Sequence, residues 1–145
     1  MKKILSLLIC LMLSLTVVSC GDNKEEVKEP EKEPVVEQPV SKVDKFKNTL
    51  KEKGYEVGED ELLAFEMVGA NNGYKFKVDG ELIEIYEYDE ANLSEEGKGF
   101  IEQGKNGSIS LSGFNVPVKY NNFLMLGRAD KHSKGTEIIE IFNSL

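Results

Sequence analysis

The stretch YKFKVDGELIEIYEY, residues 74–88, decides the fold class. Tyr74, Phe76 and Val78 alternate with Lys75 and Lys77, the two-residue period of a half-buried strand. Asp79-Gly80 is the dipeptide of a two-residue hairpin turn, because both central positions of that turn need positive φ. Glu81–Tyr88 then alternates again, with Ile83 and Ile85 on one face and Leu82, Tyr86 and Tyr88 on the other. Two strands joined by so short a turn must be antiparallel.

Working outward, the upstream run Glu61–Ala70 reads as a further strand with Leu63, Phe65 and Met67 on one side, ended by the turn Asn71-Asn72-Gly73. Before it, Val43, Phe46 and Leu50 fall on one face of a helix. Ser41 is its cap, Asp44 completes a variant of the capping box, and Gly54 stops it. Downstream, Asn92–Gly104 reads as a second helix with Ser94 as a cap and Leu93, Phe100 and Ile101 as apolar contacts. Gly97 and Gly99 lie inside it, at a cost of about 1 kcal/mol each relative to alanine. Close-set glycines also let a helix approach its neighbour tightly.

Asn106-Gly107 turns into a strand at Ser108–Ser112. A kinked loop through Pro117 and Asn121-Asn122 is expected next, then a short buried strand at Phe123–Arg128. Gly135–Leu145 reads as a closing helix with Thr136 as its cap. The order is α-β-β-β-α-β-β-α. The expected class is α+β: a two-layer sandwich of a roughly five-stranded antiparallel or mixed sheet with helices on one face. A more barrel-like sheet with peripheral helices is the alternative.

The N-terminus has a different character. Met1-Lys2-Lys3 is positive, and Ile4 to Val18 is a nearly unbroken apolar run. At about 15 residues the run is shorter than the roughly 20 that span a bilayer comfortably, and it suits the apolar region of a secretory signal. It ends in Val17-Val18-Ser19-Cys20. These residues resemble the lipobox of bacterial lipoproteins: an aliphatic residue three before a cysteine, then a small or aliphatic one, then a small one. The resemblance covers residues 1–20. It implies cleavage between Ser19 and Cys20 and attachment of a diacylglyceryl group to the Cys20 thiol. Two acyl chains anchor stably where one is marginal, which implies a cell-membrane location on the extracytoplasmic face. Cys10 would leave with the signal, so the mature chain would hold one cysteine, already alkylated.

The resemblance then implies that residues 20–41 are the lipidated N-terminus and a tether. From Gly21 to Ser41 there is no hydrophobic period, and Pro30, Pro34 and Pro39 are three of the four prolines in the chain. Such composition cannot bury enough apolar surface to order itself. It favours an extended spacer reaching on the order of 60 Å. Residues 42–145 make a single domain.

That domain carries 19 Asp and Glu against 13 Lys and Arg. An acidic surface with a single arginine, Arg128, disfavours nucleic acid and phosphate ligands. The one histidine, His132, is expected on the surface of a Lys/Ser/Gly-rich loop, where neighbours in sequence seldom build a triad. One histidine and no spare cysteine cannot make the usual zinc site. Asp89–Glu96 is rich in carboxylates but lacks the ligand alternation of a calcium loop. No phosphate-binding glycine loop occurs. No catalytic residue, metal or cofactor is expected.

Tyr74, Tyr86 and Tyr88 are the remaining feature. Their rings are expected to cover the core with hydroxyls reaching water. The alternative is a tyrosine-rich binding face beside carboxylates. The functional expectation is a membrane-anchored, non-catalytic binding or accessory module whose partner is an envelope protein or a small ligand. A small extracytoplasmic hydrolase using Glu84, Glu87 and Asp89 is the alternative, and a solute-binding lipoprotein, which needs two lobes, ranks last.

Overall fold

The computed structural model describes residues 40–145. The expected signal peptide (1–19), its Ser19–Cys20 cleavage site, the lipidation site Cys20 and all but the end of the tether lie outside the described residues. No helix among the described residues is long and apolar enough to cross a membrane.

The hairpin at residues 74–88 is the centre of the fold. Strand β2 (Asn72–Val78) pairs antiparallel with β3 (Glu81–Glu87), and Val78 sits opposite Glu81 across the turn. Asp79 and Gly80 both have positive φ, 49° and 85°, as a two-residue turn of this hand requires. Four more strands complete one sheet: β1 (Glu61–Leu62), β4 (Ser108–Leu111), β5 (Phe114–Asn121) and β6 (Leu124–Gly127). Their order is β1-β2-β3-β6-β5-β4, with every pairing antiparallel. With three α-helices among the described residues, this is the expected α+β class.

The sheet has six strands where five were expected. The extra one is β5, in the segment expected to be a kinked loop. Proline is tolerated there because of the ladder's alternation. Leu111 and Phe114 flank a two-residue turn and exchange bonds, so Ile109 and Val116 do too. Pro117 therefore faces the β6 side, one residue beyond the last β5–β6 pair, Val118–Gly127. Its missing N–H costs no ladder bond.

The expected strand over 61–70 is corrected as well. Only Glu61 and Leu62 are strand, and Phe65–Val68 winds into a 3-10 turn. Phe65 and Val68, three apart, both reach the core on that spacing, which turns Met67 outward. Gly69, at φ 60°, ends the turn.

Helix α1 (Lys42–Glu52) starts as expected: Ser41 Oγ accepts the Asp44 N–H at 3.0 Å and donates to the Asp44 carboxylate. Helix α2 (Glu95–Lys105) begins at the Ser94 cap, whose Oγ accepts the Gly97 N–H at 3.0 Å, and Asn92 belongs to a separate 3-10 turn at Glu90–Asn92. Helix α3 (Gly135–Asn143) has no side-chain cap; Thr136 lies within its first turn.

Strand alternation divides the interior. Leu124 and Leu126 belong to one cluster with Ile83, Ile85, Phe76 and Val78, together with Phe46 and Leu50 of α1 and Ile138 and Phe142 of α3. Met125, between them, points the other way. It joins Tyr88, Val118, Ile109, Val68 and Ile101 of α2. The expectation of helices on one face thus holds for α1 and α3, while α2 lies on the other. Phe46 anchors the first cluster by edge-on contacts with Phe76 and Phe142, ring centres 6.5 and 5.6 Å away, each worth about 0.5–1.5 kcal/mol beyond burial.

The glycines of α2 explain its close approach. A methyl group on Gly97 would meet the Gly69 carbonyl oxygen at 2.5 Å, and one on Gly104 would meet the Met125 methyl at 2.7 Å. Gly99 faces open space.

Candidate functional site

The three tyrosines do not form one face. Tyr74 is paired with Ile85 and packs against the α1/α3 cluster. Tyr86 pairs with Met125 and, with Tyr88, packs into the α2 cluster on the opposite side. Residue parity causes this: 74 faces 85 across the ladder, and 86 and 88 point away from 85. Tyr88 is buried, and its hydroxyl donates to the Val68 carbonyl at 3.1 Å. Burial pushes the pKa of that hydroxyl well upward. Tyr86 is pushed up to about 12, mainly by burial and then by Glu84, whose carboxylate accepts its hydroxyl at 3.3 Å. The rings cover the cores, and Tyr74 lies on the opposite side of the sheet from Tyr86 and Tyr88.

His132 is also not where the sequence put it. It is 6% exposed, in the loop between β6 and α3. Its Nε2 lies 2.8 Å from the Val78 carbonyl oxygen and its Nδ1 accepts the Lys134 N–H at 3.0 Å. This pattern places the ring proton on Nε2. The polar neighbours that made the loop look exposed are the ones that hold it down. Ser133 donates its N–H and hydroxyl to the Glu81 carboxylate, and Lys134 Nζ bonds Asp79 at 2.7 Å. Both carboxylates are held below their ordinary range, Glu81 by the Ser133 bonds and Asp79 chiefly by Lys134. The loop is a clasp on the β2–β3 turn.

The other acidic candidates have local partners. Asp89 caps the 3-10 turn that follows it, accepting the Ala91 N–H and the Asn92 side-chain amide. Those bonds, the Asn92 amide first, hold its carboxyl below the ordinary carboxylate range. Glu84 lies on the sheet face beside Gly127, with Arg128 Nη1 at 4.0 Å. Glu87 pairs with Leu124 on β6. Glu84 and Glu87 therefore point to opposite faces, so Glu84, Glu87 and Asp89 are not gathered into one acid–base site. Among the described residues no group of three His, Cys, Asp or Glu side chains is placed to hold a metal.

Two surface features were not read from the sequence. One is an open cleft of about 480 Å³ lined by Lys53, Tyr55, Glu137, Glu140, Ile141 and Ser144. Tyr55 donates its hydroxyl to Glu137 at 2.7 Å, which pushes it up to about 12, and Lys134 Nζ lies 4.9 Å from the ring centre. The aromatic and both of its charged neighbours are thus already engaged with one another. The other is the β1 edge. Leu62 is 73% exposed and Met67 is 53% exposed in a segment otherwise rich in carboxylates. Its only sequence signal is an apolar–acidic mixture, ELLAFEM, at residues 61–67.

No protein-family model matches the chain, and neither a curated protein nor a solved structure does.

Proposed function

We propose that the chain is a lipid-anchored module on the extracytoplasmic face of a bacterial membrane, and that it binds another component of the envelope without turning over a substrate. The observation that carries this reading is Val17-Val18-Ser19-Cys20 at the end of a short apolar run behind two lysines. The folded domain supports the binding role. Both nitrogens of its one histidine are engaged with backbone groups, and Asp79, Glu81 and Asp89 serve turns and loops. An exposed apolar and acidic sheet edge is available for contact.

Palmitate labelling of cells expressing the full chain tests the anchor. Label is expected in the wild-type protein and absent from Cys20→Ala, which should keep its full precursor mass. Equal labelling of both proteins, or none of either, overturns the anchor. Cross-linking on intact cells tests the binding role, and one reproducible protein partner is the expected result.

A further inference from the structure

The sheet has two edges, and they are treated differently. At β4 the outward N–H of Ser110 is capped by Gln103 Oε1 of α2 at 2.7 Å. At β1, Leu63 N–H bonds the Gly73 carbonyl at 3.0 Å, while Leu62 lies opposite Tyr74. Alternation of the ladder then turns the N–H and C=O of Leu62 away from β2. No described strand pairs with that side. An uncapped edge is a template for another strand, and proteins usually guard it.

Charge selects the occupant. From Gly54 to Tyr74 there are five carboxylates and no lysine or arginine. Lys47 pairs with Asp60 and Lys75 with Glu61, while Glu59 and Glu66 have no ion pair among the described residues. An open cleft of about 370 Å³ beside the edge is lined by Glu59, Asp60 and Glu61 with Phe76, Lys77 and Leu82. Such a lining suits a long basic side chain, whose stem is apolar and whose head is charged. A second copy would bring the same acidic edge against this one. The chain's own segment 21–41, with seven acidic and three basic residues, carries the same sign of charge as the edge.

We infer that the β1 edge receives an extended, basic segment of a partner protein by strand addition, with Leu62 supplying the backbone contacts and Glu59 and Glu66 the charge recognition. Main-chain bonds give affinity in this mode, and alternate side chains give specificity. The inference deepens the binding role proposed above and rests on it.

The test uses the full chain in detergent and a short fluorescent peptide alternating lysine and valine. Two controls accompany it: the same peptide with alternate backbone nitrogens methylated, and a glutamate–valine peptide. The lysine–valine peptide is expected to bind, and to slow hydrogen exchange at the Leu62 amide. The methylated peptide should bind at least tenfold more weakly, and the acidic one not at all. Leu62→Pro, which removes the outward N–H, and the double variant Glu59→Lys/Glu66→Lys should each weaken binding about tenfold. The double variant touches no buried residue, so it carries the test if Leu62→Pro fails to fold. Absence of binding, equal binding of the methylated or acidic peptide, or indifference to the double variant overturns the inference. A cross-linked partner held through residues elsewhere would sink this inference and leave the binding role intact. Loss of palmitate labelling with peptide binding retained would sink the anchor alone.

Discussion

His132 Nε2 lies 2.8 Å from the carbonyl oxygen of Val78, a residue 54 positions earlier in the chain. The bond ties the loop ahead of α3 to the end of β2. It is the buried member of a clasp whose outer members are Ser133–Glu81 and Lys134–Asp79. Replacing His132 with alanine removes the bond to Val78, leaves the Lys134 N–H without its acceptor and opens a void. The expected loss is about 1–3 kcal/mol, read as a lower urea midpoint with an unchanged slope. An unchanged midpoint would mean that the loop repacks freely.

The outer members of the clasp set an acid limit. Asp79 and Glu81 ionise below their ordinary values of 3.8 and 4.5 because lysine, serine and backbone donors favour the charged form. A lowered carboxylate contributes stability above its unfolded value and loses it as pH falls through the folded one. Stability should therefore decline on acidification below about 4.5. Asp79→Asn with Glu81→Gln should flatten that decline in urea melts run across the acid range. An identical pH slope in the double variant would exclude the clasp as its source.

Alkali acts on the other side of the sheet. Tyr86 ionises near 12, against an ordinary 10.0. A raised tyrosine contributes stability in full below its unfolded value and loses it as pH rises toward the folded one. An ultraviolet titration should show a late phenolate step near 12 shared by Tyr86 and Tyr55, and Tyr86→Phe should shrink it by about one phenolate. A single step near the ordinary value of 10.0 would contradict the packing described for this ring.

Gly97 and Gly99 make a paired test two residues apart in one helix. Alanine at either position gains about 1 kcal/mol of helix propensity. At Gly99 nothing lies in the way, so Gly99→Ala should raise the melting temperature. At Gly97 the new methyl meets the backbone of Gly69 at 2.5 Å, so Gly97→Ala should lower it. Shifts of the same sign would show that the two backbones are not in close contact.

What the sequence made legible was local chemistry. Asp79-Gly80, Ser41 with Asp44, and Ser94 each named a turn or cap that the chain forms. The apolar faces of Ile83 with Ile85 and of Val43, Phe46 and Leu50 followed from period alone. What failed depended on a distant partner. Pro117 fits a strand only because β6 stops short of it. Phe65 and Val68 form a turn because both are drawn into the α2 core. His132 is buried by a carbonyl from β2. For the tyrosines, parity across a hairpin was the available signal: Tyr74 faces Ile85, which turns Tyr86 and Tyr88 to the other side. The β1 edge was hidden because its openness is a property of strand order, which no single segment carries.

The place of β6 has a consequence for the order of assembly. Among the described strands it alone lies between β3 and β5, so it joins the hairpin unit β1–β3 to the unit β4–β5. All four of its residues are buried, and they feed both cores by turns. It also follows both units in the chain. When the polypeptide emerges from its N-terminus, at the ribosome or across a membrane, two half-sheets with open inner edges must wait for residues 124–127. Until then β3 and β5 are sticky templates, and closure comes as a late, cooperative event. A chain stopped ahead of Leu124 should not yield a smaller stable fold; it should aggregate through those waiting edges.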